Sequence, residues 1–195
     1  MPHDRDWLCI SREESSKVNE FRAQHFSGTF DRTSFAVAPG SKRPSRMWSE
    51  NRFSEVIAKL VDEIDLFPIF FGSVQEQGLC ERILARVGRG INIAGKLNIR
   101  ESAGLLKSCR FYLGNDTGTM HLAAAVGIPC VAIFSAADRN GQWEPFGEGH
   151  QILRRNVECE GCRVDICPRA NLCLELIDSN EVYNACVDLI LRDNP

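Results

Sequence analysis

The sequence predicts an α/β fold: an open parallel sheet, Rossmann-like, with helices on both faces. Two observations carry this. From Phe35 onward, short apolar runs alternate with amphipathic segments at the spacing of βαβ units. Within that alternation, residues 111–134 read as strand, polar turn, small-residue helix, tight turn and strand, which is one such unit complete. A length of 195 residues suits one domain large enough to bury a substantial core.

The elements follow in order. Ser11-Arg-Glu-Glu14 has the form of a capping box and opens a polar helix that runs to about Phe26. Its apolar positions, Val18, Phe21 and His25, are sparse, which places it on the surface. Ser27 to Thr33 reads as a loop, so residues 1–34 form a lead-in and 35–195 the domain. Phe35 to Ala38 is the first strand, and Pro39 to Met47 a basic loop containing Gly, Pro and Ser. Ser49 to Ile64 is a helix with Phe53, Val56, Ile57, Leu60, Val61 and Ile64 on one face. Phe67–Phe71 is a strand, Gln75–Val87 a helix, Ile91–Ala94 a short strand, and Ile99–Ser108 a helix capped by Asn98. Strands at Phe111–Leu113 and Cys130–Phe134 flank the next helix. A loop rich in Gly, Asp and aromatic residues covers Ser135–Gly149, and Gln151–Leu153 is the last strand. A cysteine-rich loop (159–173) and an amphipathic helix (179–192) close the chain.

Composition excludes several classes. Apolar content of 44%, charged content of 25% and a net charge of −3 give no reason for a nucleic acid or an anionic membrane surface as partner. No apolar run approaches the roughly 20 residues needed to span a bilayer, and residues 1–6 carry no signal-peptide core. The nine cysteines therefore read as thiols rather than a disulfide framework. The expected location is the cytoplasm, with peripheral attachment at the inner face of a membrane left open. There is no Gly-x-Gly-x-x-Gly after a strand, no Walker loop, no Gly-x-Ser-x-Gly and no His-Glu-x-x-His, which disfavours the enzymes built on them.

Three constellations carry chemistry. Asp116-Thr117-Gly118-Thr119 stands where a helix begins after a strand. Local chemistry allows a plain helix cap, or a seat for phosphate formed by free N–H groups and the helix dipole. Ser41, Lys42, Arg43 and Arg46 make a basic loop after the carboxyl end of a strand, the edge at which open sheets bind ligands. Cys159-x2-Cys162-x4-Cys167-Pro168-x5-Cys173 contains a Cys-x-x-Cys pair, which leaves zinc or an iron–sulfur cluster as an alternative to plain thiols. Cys9, Cys80, Cys109, Cys130 and Cys186 fall in apolar settings and read as core thiols.

The first of these motifs resembles the signature of glycosyltransferase family 9, the ADP-heptose:lipopolysaccharide heptosyltransferases: Asp116, Thr117, Gly118, His121, Leu122, Ala123, Ala124, Ala125, Gly127 and Pro129 match. Pro39-Gly40-Ser41, Arg46-Met47-Trp48 and Arg52-Phe53 resemble an upstream family segment, with Arg46 in place of a lysine and Ser49 in place of a proline. The cysteine set is similar to one found in many members. The resemblance spans about residues 35–190. It implies the carboxyl-terminal, donor-binding half of a two-domain B-type glycosyltransferase fold, with the catalytic base on the other half and no catalytic residue here. It further implies donor contacts from Ser41, Lys42, Arg46, Asp116, Thr117, Gly118, Thr119 and His121. Leu97 falls at the adenine position and Glu76 at one that contacts ribose, although a helix dipole explains that glutamate equally well. No cofactor and no metal are implied. The partners implied are a nucleotide-sugar donor, ADP-linked first, and either an acceptor-domain chain or a homodimer. The Ser135–Gly149 loop, with Trp143 and Phe146, would border the cleft between domains. A non-catalytic nucleotide-binding or assembly module is the competing expectation.

Overall fold

A computed structural model describes residues 7–26 and 33–192. Residues 1–6, and all of the expected 27–33 loop except Thr33, lie outside the described residues. Six strands form one sheet in the order β3-β2-β1-β4-β5-β6, every pairing parallel. They are β1 (Ser34–Ala38), β2 (Phe67–Phe70), β3 (Ile91–Asn92), β4 (Tyr112–Asn115), β5 (Cys130–Ile133) and β6 (Gln151–Leu153). The helices are α1 (Arg12–His25), α2 (Glu50–Ile64), α3 (Gln77–Val87), α4 (Ile99–Lys107), α5 (Gly118–Ala125), α6 (Leu172–Glu175) and α7 (Ser179–Arg192).

Side-chain alternation along the strands divides the core in two. Phe35, Val37, Phe70, Phe111, Leu113, Val131 and Ile133 pack with α2, α3 and α7. Ala36, Ile69, Tyr112 and Ala132 face the other way, onto α4 and α5. Both faces are covered, as the parallel pairing requires. Helix α1 joins the second layer: its capping box forms as read, and Val18 is buried against α4, where a Cβ on Gly104 would collide with it. The first helix is thus packed onto the domain.

Boundaries shift where side chains compete for the backbone. Asn92 Oδ1 accepts the N–H of Ala94 at 3.0 Å and ends β3 two residues early. Ser73 and Glu76 form a capping box that makes a 3-10 turn of Val74–Glu76, so α3 begins at Gln77. The short helix α6 was not foreseen. Among the described residues no helix is long and apolar enough to cross a membrane.

The order places β1 beside β2 on one side and β4 on the other. The connections leaving β1 and β4 therefore run to opposite sides and open a crevice at their carboxyl ends, the position where open α/β sheets take ligands.

Candidate functional site

Two loops meet at that crevice, and Asn115, at the end of β4, fastens them together. It is fully buried. Its Nδ2 donates to Pro39 O at 2.7 Å, and its Oδ1 accepts the Trp48 N–H at 3.2 Å, so both ends of the basic loop hang on one amide. Beside it Asp116 is 6% exposed in its side chain and pairs with Arg46 Nη1 at 3.0 Å. The other guanidinium nitrogen of Arg46 pairs with Asp138, whose side chain is 12% exposed. Burial pushes the Asp116 carboxyl above its ordinary range, Arg46 and His121 pull it back, and Asp138 pushes it up again. Arg154 completes the cluster. Its side chain is 7% exposed, and it donates to Ser135 O at 2.9 Å and to the backbone carbonyl of Asp138.

The helix start next to this cluster is open. Thr117 is the N-cap of α5 in extended conformation, and its side chain makes no capping hydrogen bond. Its Oγ1 lies 3.3 Å from the buried Tyr112 hydroxyl, which also reaches Asn115 O at 3.0 Å. Gly114 makes room for that hydroxyl, since a Cβ there would overlap it. A Cβ on Gly118, by contrast, would meet no atom within 4 Å. Nothing among the described residues demands glycine at that position, whereas a ligand approaching the first turn of α5 would. His121 stands one turn on, 43% exposed in its side chain, with Nε2 4.0 Å from Asp116 Oδ1.

On the basic loop, Ser41 Oγ accepts the Arg43 N–H at 3.4 Å, and Arg43 pairs with Asp165 at 3.1 Å. Lys42 is exposed and forms no ion pair among the described residues. Glu76 Oε2 accepts from Ser73 N at 2.7 Å and Oγ at 2.8 Å, so this carboxylate serves as a cap; its Oε1 lies over Gly40. Leu97 lies half-buried in the turn after β3, at the far end of the same sheet edge. The structure thus gathers Ser41, Lys42, Arg46, Asp116, Thr117, Gly118, Thr119 and His121 at one crevice, with Glu76 alongside and Leu97 two strands away.

Arg46, expected to contact the donor, has its guanidinium paired with two carboxylates. Two expectations are corrected. Phe146 does not border this crevice: its carbonyl meets His150 Nε2, and His150 Nδ1 accepts the Cys130 N–H at the amino end of β5. Its ring packs edge-on against Trp7, which is bonded to the carboxyl end of α5, so both lie at the opposite edge of the sheet. Cys9 is exposed, while Cys80, Cys109, Cys130 and Cys186 are buried as expected. Burial pushes the Cys80 thiol up to about 12, which makes it inert. Asp138 and Asn115 were missed by the sequence reading. Asn115 had a signal, a polar residue ending an apolar strand directly before Asp116; Asp138 had none in its own neighbourhood.

The match to known proteins is decided by one comparison: a family model described as glycosyltransferase family 9 (heptosyltransferase) matches residues 8–172. The chain belongs to that family. It is 26% identical over 140 residues to lipopolysaccharide heptosyltransferase 2 of Escherichia coli K12, an alignment covering 69% of this chain and 39% of that protein. Its fold matches the solved E. coli ADP-heptose lps heptosyltransferase II with a TM-score of 0.76 and 23% identity, over 96% of this chain and 54% of the other. It also matches the dodecameric iron-containing heptosyltransferase TibC in complex with ADP-D-beta-D-heptose, with a TM-score of 0.64 and 20% identity, over 85% and 48%. The matched region is thus about half or less of each of these proteins. The six-stranded parallel sheet with helices on both faces is the fold it shares with this family.

Proposed function

We propose that this chain is the donor-binding half of an inverting glycosyltransferase that takes a nucleotide-linked sugar, ADP-linked heptose first, in the synthesis of lipopolysaccharide or a related glycan. The observation that carries this reading is the pairing of an uncapped, unobstructed helix start at Gly118 with a basic loop across the switch point of the sheet. The relatives named for ADP-heptose or lipopolysaccharide substrates support the choice of donor.

In this reading the diphosphate sits on the first turn of α5. Gly118 and Thr119 offer N–H groups, Thr117 and Ser41 offer hydroxyls, and Lys42 brings the unpaired charge. Charge grows on the diphosphate as the glycosidic bond breaks, so fixed donors there stabilise the transition state more than the ground state. Arg46 acts at one remove: it keeps Asp116 ionised and aimed at the crevice, where the carboxylate accepts hydrogen bonds from sugar hydroxyls. His121 flanks it, Leu97 packs near the base, and Glu76 reaches the ribose through its spare oxygen. Transfer needs no metal in this scheme. The base that activates the acceptor comes from an acceptor-binding domain, on the same polypeptide or a partner chain, and the proposed donor domain (residues 35–195, with 1–34 leading in) supplies none. The place of action is the cytoplasmic side of the membrane.

Calorimetric titration with ADP, UDP, GDP and CDP tests the reading. ADP should bind at least tenfold more tightly than the others. No binding of any of the four would remove the donor-site assignment.

A further inference from the structure

The turn that follows β5 lacks regular structure but not hydrogen bonds. From Ser135 to Asp138, four successive carbonyls each accept from a donor elsewhere in the chain. The Arg154 guanidinium donates to Ser135 O and Asp138 O, Gly161 N to Ala136 O at 2.8 Å, and Arg163 N to Ala137 O at 2.9 Å. Two amides are tied as well: Ala136 N donates to Cys173 Sγ at 3.3 Å, and Asn140 N to Glu160 Oε1 at 3.0 Å. Glu160 Oε1 also accepts from Arg154 Nη2 at 3.1 Å, so both members of that ion pair grip the same turn. A backbone bonded at so many points has little freedom left. What it turns inward is one carboxylate, Asp138, onto Nη2 of Arg46.

Stability alone is a poor account of this arrangement, because a buried ion pair adds little once desolvation is counted. What the arrangement secures is direction. Arg46 is a long side chain, and a single contact would leave its planar fork free to turn. With Nη1 on Asp116 and Nη2 on Asp138, the fork is held at both ends. It engages Oδ2 of Asp116 and leaves Oδ1 on the side of His121, at the open start of α5. Contacts thus run unbroken from Glu160 through Arg154, Asp138 and Arg46 to Asp116.

We propose that Asp138, with Arg154 behind it, is a positioning pair for sugar recognition: by fixing the second end of the Arg46 fork, it aims the Asp116 carboxylate at the sugar of the bound donor. Discrimination among sugars then depends on a turn whose own carboxylate is covered. The proposal rests on the donor reading and deepens it. The diphosphate, seated on the first turn of α5, does not depend on this relay, so nucleotide and sugar affinity should separate.

The test is calorimetric titration of ADP and ADP-heptose into wild type, Asp138→Asn and Arg154→Lys. The first keeps the shape of the side chain and removes its charge; the second keeps the charge but not the fork that reaches both carbonyls. Wild type should bind ADP-heptose more tightly than ADP. Both variants should lose that preference by roughly fivefold or more, with affinity for ADP itself within about twofold of wild type. In an Asp116→Asn background, Asp138→Asn should cost nothing further, because the relay acts through that carboxylate. Melting curves identify a variant that fails to fold, and the other then carries the test. Equal weakening of both ligands would show that the turn only holds the fold, and an unchanged preference would show that it does not aim Asp116; either overturns the proposal. Wild type that binds both ligands equally would overturn it too, with the nucleotide site left standing. Wild type that binds neither would overturn the donor reading itself, and the relay with it.

Discussion

Arg46 and Asp116 lie 70 residues apart in sequence and meet at 3.0 Å across the switch point of the sheet, both largely buried. A buried charge is tolerable only with its partner in place. The same guanidinium also serves Asp138. One arginine therefore neutralises two carboxylates, and removing it strands both.

Arg46→Ala should accordingly be a stability mutation as well as a binding one. Breaking a buried pair by deleting one partner costs about 3–5 kcal/mol. A melting temperature lower by several degrees is expected in thermal denaturation, with Arg46→Lys restoring part of it. An unchanged melting temperature would mean that the two carboxylates do not depend on this guanidinium.

The pH dependence of stability should carry two opposite signs. The Asp116 carboxyl is raised, mainly by burial. A raised acid contributes stability that is fully present below its unfolded pKa and is lost as pH rises through its folded one. Wild type should therefore lose stability relative to Asp116→Asn between acid and neutral pH. Glu14 is held down to about 2, chiefly by its hydrogen bonds to Arg100. Its contribution is present above the ordinary glutamate pKa and fades as pH falls. Wild type should therefore gain stability relative to Glu14→Gln over the same rise in pH. Melting curves of the three proteins at matched ionic strength decide this, and parallel profiles would contradict it.

Tyr112→Phe removes a hydroxyl that reaches both Asn115 O and Thr117 Oγ1 inside the core. Leaving a buried acceptor unpaired costs about 1–3 kcal/mol. We expect that loss in chemical denaturation, with weaker ADP binding because Thr117 is no longer steadied. Full stability and full affinity together would show that the hydroxyl does not position the site.

Much of this was legible locally. The capping box at Ser11–Glu14 forms as its spacing indicates and Asn98 caps α4 as read, because each is settled within four residues. The buried face of α2 follows from its 3.6-residue period, and the Asp116–Thr119 turn was placed from its position between two apolar strands. What escaped was long-range. Asp138 meets Arg46 over a separation of 92 residues, and nothing near Asp138 announces it. The carboxylate partners of Arg46 escaped for the same reason: a sequence shows a charge and not its partner. Phe146 was assigned to the wrong edge because its loop starts at the carboxyl end of β5 and must cross to the amino end to enter β6 in parallel.

Gly118→Ala tests the central claim most directly. The protein has empty space where the new Cβ would stand, and Gly40→Ala, whose Cβ would collide with Glu76, serves as the contrast. ADP titrated into Gly118→Ala by calorimetry should bind at least tenfold more weakly than to wild type, with the melting temperature unchanged. ADP binding of wild-type strength in that variant would contradict a diphosphate seated on the first turn of α5.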